Sequence, residues 1–181
     1  MATQPPPGSS APRIAVHATS VVLGAASAPF GGAVDGAVLL LGESGAGKSD
    51  VALRLIAMGA RLLSDDQTQL FAEGERLFAE APSSSHGWME IRGVGIVVLE
   101  AAKPAPVVLA VILDADAAIP RLPEALRYAL PAPLEALEGP PLLRLSPFEA
   151  AAPAKIAAAA AALSRGAFVA GLISPSSGPF F

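Results

Sequence analysis

The chain has 181 residues, of which 52% are hydrophobic and 15% charged, and a net charge of −4. That balance belongs to one globular domain rather than a disordered segment, and its acidic sign leaves no broad footprint for nucleic acid or anionic lipid. With no cysteine present, disulfides, thiol catalysis and zinc–thiolate sites are excluded.

Residues 1–12, rich in Pro, Ser and Gly, read as a disordered tail, without the charged start and apolar run of a secretory signal. No apolar run reaches the roughly 18 residues that a spanning helix needs, so a cytoplasmic protein without a membrane partner is expected. Arg13 to Leu23 reads as one strand carrying His17, and the Gly-, Ala- and Pro-rich stretch from Gly24 to Gly36 as a long flexible hairpin connection. Ala37-Val38-Leu39-Leu40-Leu41 is an apolar run suited to a buried strand. Directly after it comes Gly42-Glu43-Ser44-Gly45-Ala46-Gly47-Lys48-Ser49-Asp50. Val51, Ala52, Leu55 and Ile56 then recur at helical spacing, predicting a helix from Ser49 to Met58 that Gly59 stops.

Strand, glycine-rich turn and helix are the context in which G-x-x-x-x-G-K-[ST] acts as a phosphate cradle, or P-loop. Glycines let the turn aim successive backbone N–H groups at phosphate oxygens, and the helix adds the positive end of its dipole. Lys48, one of three lysines in the chain, is placed to reach the β- and γ-phosphates. The Ser49 hydroxyl is placed to hold Mg²⁺. These features predict a nucleotide- and Mg²⁺-binding site formed by Gly42, Glu43, Ser44, Gly45, Ala46, Gly47, Lys48 and Ser49.

Arg61 to Leu63 reads as a short strand ending in Ser64-Asp65-Asp66. Two adjacent carboxylates beside a nucleotide can divide metal binding and proton abstraction between them, although a solvated turn or a helix cap has the same appearance. Gln69–Phe71 and Arg76–Ala79 pair as a hairpin about Glu73-Gly74, and a strand is expected at Ile96–Leu99. Just before that strand stands Glu90-Ile91-Arg92-Gly93-Val94-Gly95-Ile96. Here Glu90 can complete a Mg²⁺ shell and Arg92 can neutralise a transferring phosphoryl group, although Glu and Arg two apart also suit an exposed strand face. Val107–Leu113 is the most apolar run and is expected to be a central strand. Segments rich in proline fill 120–153, and Pro153 opens a helix running to Leu163 and closed by Gly166. Taken alone, His17 reads as a structural histidine, His86 as a loop residue, and Asp114 and Asp116 as a turn. Nothing local chooses among Arg121, Arg127 and Arg144. Strands outnumber helices, so the expected fold is α/β with a mixed, strand-rich central sheet and few helices.

Four stretches together resemble the catalytic domain of the HPr kinase/phosphorylase family, bacterial P-loop enzymes acting on a serine of a small phosphocarrier protein. They are Val16-His17-Ala18-Thr19, the G-E-S-G-A-G-K-S-D loop, Gly59 through Asp66, and Glu90 to Ile96. The resemblance covers 13–173, and the tail 174–181 reads as flexible. It implies that Lys48 and the loop hold the triphosphate, that Ser49 and Glu90 ligate Mg²⁺, and that Asp66 accepts the serine proton with support from Asp65. It also implies that His17 is an active-site histidine and that Arg121 stands for the family's later active-site arginine. The implied activity is ATP-dependent phosphorylation of an HPr-type phosphocarrier. Phosphorolysis by inorganic phosphate and assembly as a homo-oligomer accompany it in the family. The chain looks like the family's short form, lacking the N-terminal domain, with an insertion at 24–36 and with Ala152-Pro153-Ala154-Lys155-Ile156 where the family's P-G-R-N-like segment is expected. A P-loop kinase for a small molecule and a nucleotide-binding regulator without transfer activity are the competing readings.

Overall fold

The computed structural model describes residues 12–116, 118–168 and 170–173; the tails expected at 1–12 and 174–181 lie outside the described residues, apart from Pro12. In chain order the elements are β1 (Ile14–His17), β2 (Thr19–Gly24), β3 (Val34–Leu41), α1 (Lys48–Ala57), β4 (Arg61–Ser64), β5 (Gln67–Glu73) and β6 (Arg76–Glu80). There follow β7 (Trp88–Ile91), β8 (Gly95–Val98), β9 (Ala105–Leu113), β10 (Leu142–Leu145) and α2 (Ala152–Ser164). Among the described residues no helix is long and apolar enough to cross a membrane.

Eight strands form one sheet in the order β1-β5-β6-β9-β3-β2-β4, with β10 beside β9. β3, β9 and β10 run parallel and the other pairs antiparallel, which gives the mixed sheet that the sequence led us to expect. β1 and β4 stand at opposite margins. Yet only Ala18 separates β1 from β2, and only Asp65-Asp66 separates β4 from β5. The sheet must therefore curl until both crossings lie side by side. Hydroxyls stitch the seam: Thr68 Oγ1 donates to the Ala18 carbonyl at 2.9 Å, Ser20 Oγ and Thr68 Oγ1 share a hydrogen bond at 2.9 Å, and Ser64 Oγ donates to the Gln67 carbonyl. Ser20, Thr68 and Ser64 are fully buried, so these bonds satisfy groups that would otherwise be costly to remove from water.

The curl explains the apolar runs. Val38 and Leu40 pack in one cluster with Val51, Ala52 and Leu55 of α1 and Ile156 and Ala160 of α2. Ala37, Leu39 and Leu41 pack in a second cluster, inside the curl, with Leu63, Leu70, Leu77, Leu130 and Leu134. Both faces of β3 are thus buried, so it reads as continuous rather than alternating hydrophobicity.

Three expectations are corrected, and a fourth, the strand after Glu90, is borne out and extended. The strand anticipated over Arg13–Leu23 is broken at Ala18, because its halves pair with different partners across the seam. The connection expected to be flexible contains a 3-10 helix, Ala25–Phe30, whose Ser27 is fully buried. Ser27 Oγ donates to the Gly24 carbonyl at 3.0 Å and accepts from the Val34 amide at 2.8 Å, which fixes both ends of the turn. The strand at Ile96–Leu99 is one arm of a hairpin, β7–β8, with Glu90 opposite Ile96. The proline-rich segment also holds a strand, β10, which prolines on either side had masked.

After β10 the chain returns to α1. Arg54 donates to the carbonyls of Glu149, at 3.1 Å, and Pro147, and pairs with Asp50 at 3.0 Å. Glu149 in turn holds Lys155 at 2.7 and 2.9 Å, which fastens the loop to α2. Arg54→Ala strands two carbonyls and is expected to lower stability by about 1–3 kcal/mol, read as a shift of the urea midpoint. An unchanged midpoint would remove the clamp from the ledger of stabilising contacts.

Candidate active site

The turn between β3 and α1 has the backbone that its glycines permit. Gly42, Gly45 and Gly47 have φ of 146°, 81° and 80°. At Gly42 a Cβ would lie 2.7 Å from the Leu113 carbonyl oxygen, so the loop leaves β3 pressed against the end of β9. Gly47 is the N-cap of α1 and supplies no side-chain cap. The first amides of the helix therefore stay available to an anion. Glu43, Ser44 and Gly45 are exposed, while Ala46 and Ser49 are half-buried.

Lys48 is buried at the start of α1. Its ammonium uses all three donors, at 2.9 Å each, on His17 Nε2 and the carbonyls of Gly42 and Glu43. Burial lowers its pKa from 10.5, and the charges of Asp66 and Asp65 oppose that shift. Because an ammonium can only donate, His17 Nε2 accepts and the ring proton sits on Nδ1. That nitrogen lies 3.3 Å from Asp66 Oδ1. Lys48, His17 and Asp66 thus form a chain across 31 residues of sequence separation between the lysine and histidine.

Asp66 occupies the left-handed region, φ 65°, alone among the described non-glycine residues. Only short polar side chains visit it cheaply. The turn lifts the carboxylate out of the seam, leaving it 80% exposed beside a half-exposed imidazole.

Asp65 faces the other way. Its Oδ1 accepts from Thr19 Oγ1 at 2.9 Å and from Ser49 Oγ at 2.8 Å, and its Oδ2 accepts from the Glu90 amide at 3.1 Å. β2, α1 and β7 therefore fix one carboxylate. The Ser49 proton is committed to Asp65, which leaves the hydroxyl lone pairs free for a cation. These hard oxygens suit Mg²⁺, which uses few protein ligands and completes its shell with phosphate and water. Among the described residues no three His, Cys, Asp or Glu side chains converge on a metal-sized point.

The structure thus gathers Lys48, Ser49, His17, Asp65, Asp66 and the backbone of Glu90. The Glu90 carboxylate is exposed, with its amide at the cluster. Arg92 lies at the tip of the β7–β8 hairpin and Arg121 in an exposed bend; among the described residues no hydrogen bond or ion pair joins either to the cluster. Asp114 accepts from the Asp116 amide at 3.0 Å in a surface turn. His86 lines a separate cleft of about 430 Å³ with Glu80 and Gln69. Arg127 is tied to Glu138 at 2.8 Å and to the Gly139 carbonyl at 2.8 Å. Sequence reasoning missed Thr19, which is fully buried. A hydroxyl two positions after His17 was the available signal.

Residues 32–102 match the family model described as the HPr serine kinase C-terminal domain. Over 65 residues the chain is 46% identical to the HPr kinase/phosphorylase of Mycoplasma genitalium, covering 36% of this chain and 21% of that one. Over 61 residues it is 44% identical to the HPr kinase/phosphorylase of Lactiplantibacillus plantarum, covering 33% and 19%. The matched stretch therefore spans about a fifth of these relatives' length. The Hpr(Ser) kinase/phosphatase structure from Coxiella burnetii superposes with a TM-score of 0.63 at 23% identity, covering 80% of this chain and 91% of that one. The chain is similar to HPr kinase/phosphorylases in sequence from the P-loop through the β7–β8 hairpin. The mixed, strand-rich P-loop kinase-like fold extends over most of its length.

Proposed function

We propose that this chain is an ATP- and Mg²⁺-dependent protein-serine kinase acting in the cytoplasm on an HPr-type phosphocarrier, and that it also runs the reverse phosphorolysis. The observation that carries this reading is the Lys48–His17–Asp66 chain, which joins the buried ammonium of the glycine loop to an exposed carboxylate. A serine hydroxyl is a weak nucleophile until a neighbouring base takes its proton. Asp66 Oδ accepts that proton as the serine oxygen bonds to the γ-phosphorus. The bond from that phosphorus to the β,γ-bridging oxygen breaks, leaving phosphoserine and ADP. His17 Nδ1–H orients the carboxylate, and Lys48 with the amides of 42–49 holds the charge developing on the phosphoryl oxygens. In phosphorolysis a phosphate oxygen bonds to the phosphoserine phosphorus and the bond from that phosphorus to the serine oxygen breaks; Asp66 passes the proton of the attacking phosphate to the departing serine oxygen, and pyrophosphate is released.

When bound, Mg²⁺ would supply charge neutralisation for the transferring phosphoryl group. Ser49 and Glu90 would hold it, with Asp65 fixing the Ser49 proton. Arg92 keeps the proposed role of neutralising the transferring phosphoryl group, and Arg121 that of the later active-site arginine. An acceptor as large as a protein accords with the 80% exposure of Asp66. Assembly as a homo-oligomer is part of the same proposal.

The test incubates the purified chain with labelled ATP, Mg²⁺ and an HPr-type phosphocarrier and maps phosphoserine on the carrier. Tight ATP binding with no transfer to any carrier would overturn the kinase reading. A second measurement isolates the metal arm. Thr19→Val removes one of three donors to Asp65 and is expected to raise the Mg²⁺ needed for half-maximal nucleotide affinity by about tenfold. Thr19→Ser should restore it. Equal loss with and without Mg²⁺ would assign Thr19 to packing alone.

A further inference from the structure

The strands β3, β9 and β10 are parallel, so their carboxyl ends open at one edge of the sheet. That edge is where ligands of open α/β sheets bind. The phosphate loop follows β3, and the segment Ser146-Pro147-Phe148-Glu149 follows β10. The second segment arcs back over the first: a Cβ built on Gly47 would lie 3.0 Å from Pro147 Cβ. The two loops touch at the first turn of α1, where the phosphates are expected to end.

This second loop is held on both sides of its aromatic residue. Arg54 takes the Pro147 and Glu149 carbonyls, and Glu149 is clasped by Lys155. Phe148, between the two clamped carbonyls, is left 75% exposed, one of the two most exposed large hydrophobic side chains described. The fold gains nothing from leaving an aromatic in water there. A ring on a pinned backbone loses little further freedom when a flat partner covers it.

We propose that Phe148 is the platform on which the base of the nucleotide stacks, making the 146–149 loop the base subsite of the P-loop. The proposal rests on the nucleotide reading above and deepens it. Every nucleobase offers a π-face, so stacking on Phe148 contributes affinity with little discrimination between bases. Arg54 acts here as a positioning residue, because it holds the loop without touching the nucleotide.

Calorimetry on the full chain tests this with two probes, ATP and inorganic tripolyphosphate, the second carrying the same phosphate chain without a base. Phe148→Ala is expected to weaken ATP binding about tenfold and to leave tripolyphosphate binding unchanged. Phe148→Trp should preserve ATP affinity, and its fluorescence, measured against the wild type with its native Trp88, should be quenched by ATP but not by tripolyphosphate. An equal loss for both probes would make Phe148 a scaffold for the loop, and no loss for either would remove it from the site. A change confined to the KM of a protein acceptor would assign the ring to acceptor docking; each of these three results overturns the proposal. Failure of the wild-type chain to bind tripolyphosphate at all is a different outcome: it sinks the phosphate-loop reading and this inference with it.

Discussion

Asp66→Asn is expected to slow phosphoryl transfer by about 10²- to 10⁴-fold, the range that general-base catalysis supplies, while nucleotide affinity and melting temperature stay near wild type. The separation of effects follows from where Asp66 sits. Its carboxylate is exposed and faces His17, and among the described residues it contacts none of the loop amides that would grip phosphate. Asparagine keeps the size and the tolerance for φ 65° but cannot take a proton. Asp66→Ala is the informative contrast. It removes the same base and also places a residue with no local hydrogen bond in the left-handed region, adding about 1–2 kcal/mol of instability. Single-turnover transfer from ATP, with binding and melting measured beside it, separates the two. An Asn variant transferring at near-normal rate would take Asp66 out of the chemistry.

Lys48→Met is expected to lower transfer by about 10²- to 10³-fold and, unlike the Asp66 change, to weaken nucleotide binding. The lysine is held by three partners, two of them carbonyls of its own loop. Methionine preserves the apolar stem and its packing, so the loss reports the charge and its donors. Calorimetric titration of ATP and the single-turnover rate should both fall. Binding unchanged with transfer abolished would mean that Lys48 serves the transition state alone, and a normal rate would break the chain from Lys48 through His17 to Asp66.

How much of this was legible in sequence depended on how local each feature is. The phosphate loop was readable because nine consecutive residues carry it and its flanks supply their own strand and helix signals. Val51, Ala52 and Leu55 of α1 are buried as their spacing required, with Ile56 half-buried against the same cluster. Asp65-Asp66 was readable as a pair, but not its division of labour. That division depends on a left-handed turn and on donors from β2, α1 and β7, brought together only by the curl. Taken alone His17 read as structural, and only the family resemblance gave it an active-site role, because its partners come from α1, 31 positions on, and from the turn after β4. β10 was hidden because prolines on both sides read as loop, and only the neighbouring parallel β9 makes a strand of Leu142–Leu145. Arg92 and Arg121 could be nominated by residue type, but proximity to the cluster is a tertiary fact that their own neighbourhoods do not encode.

The two crossings at the seam have a consequence for the newly made chain. His17 and Thr19 flank one of them and Asp65 and Asp66 occupy the other, so the acid, the imidazole and the hydroxyl meet only when the outermost strands arrive together. A half-assembled molecule could already possess the glycine loop, since β3 and α1 are adjacent in sequence, and could grip a nucleotide. On the proposed mechanism it would have no means of spending it, because Thr19, Asp65 and Asp66 join the loop only when the curl closes.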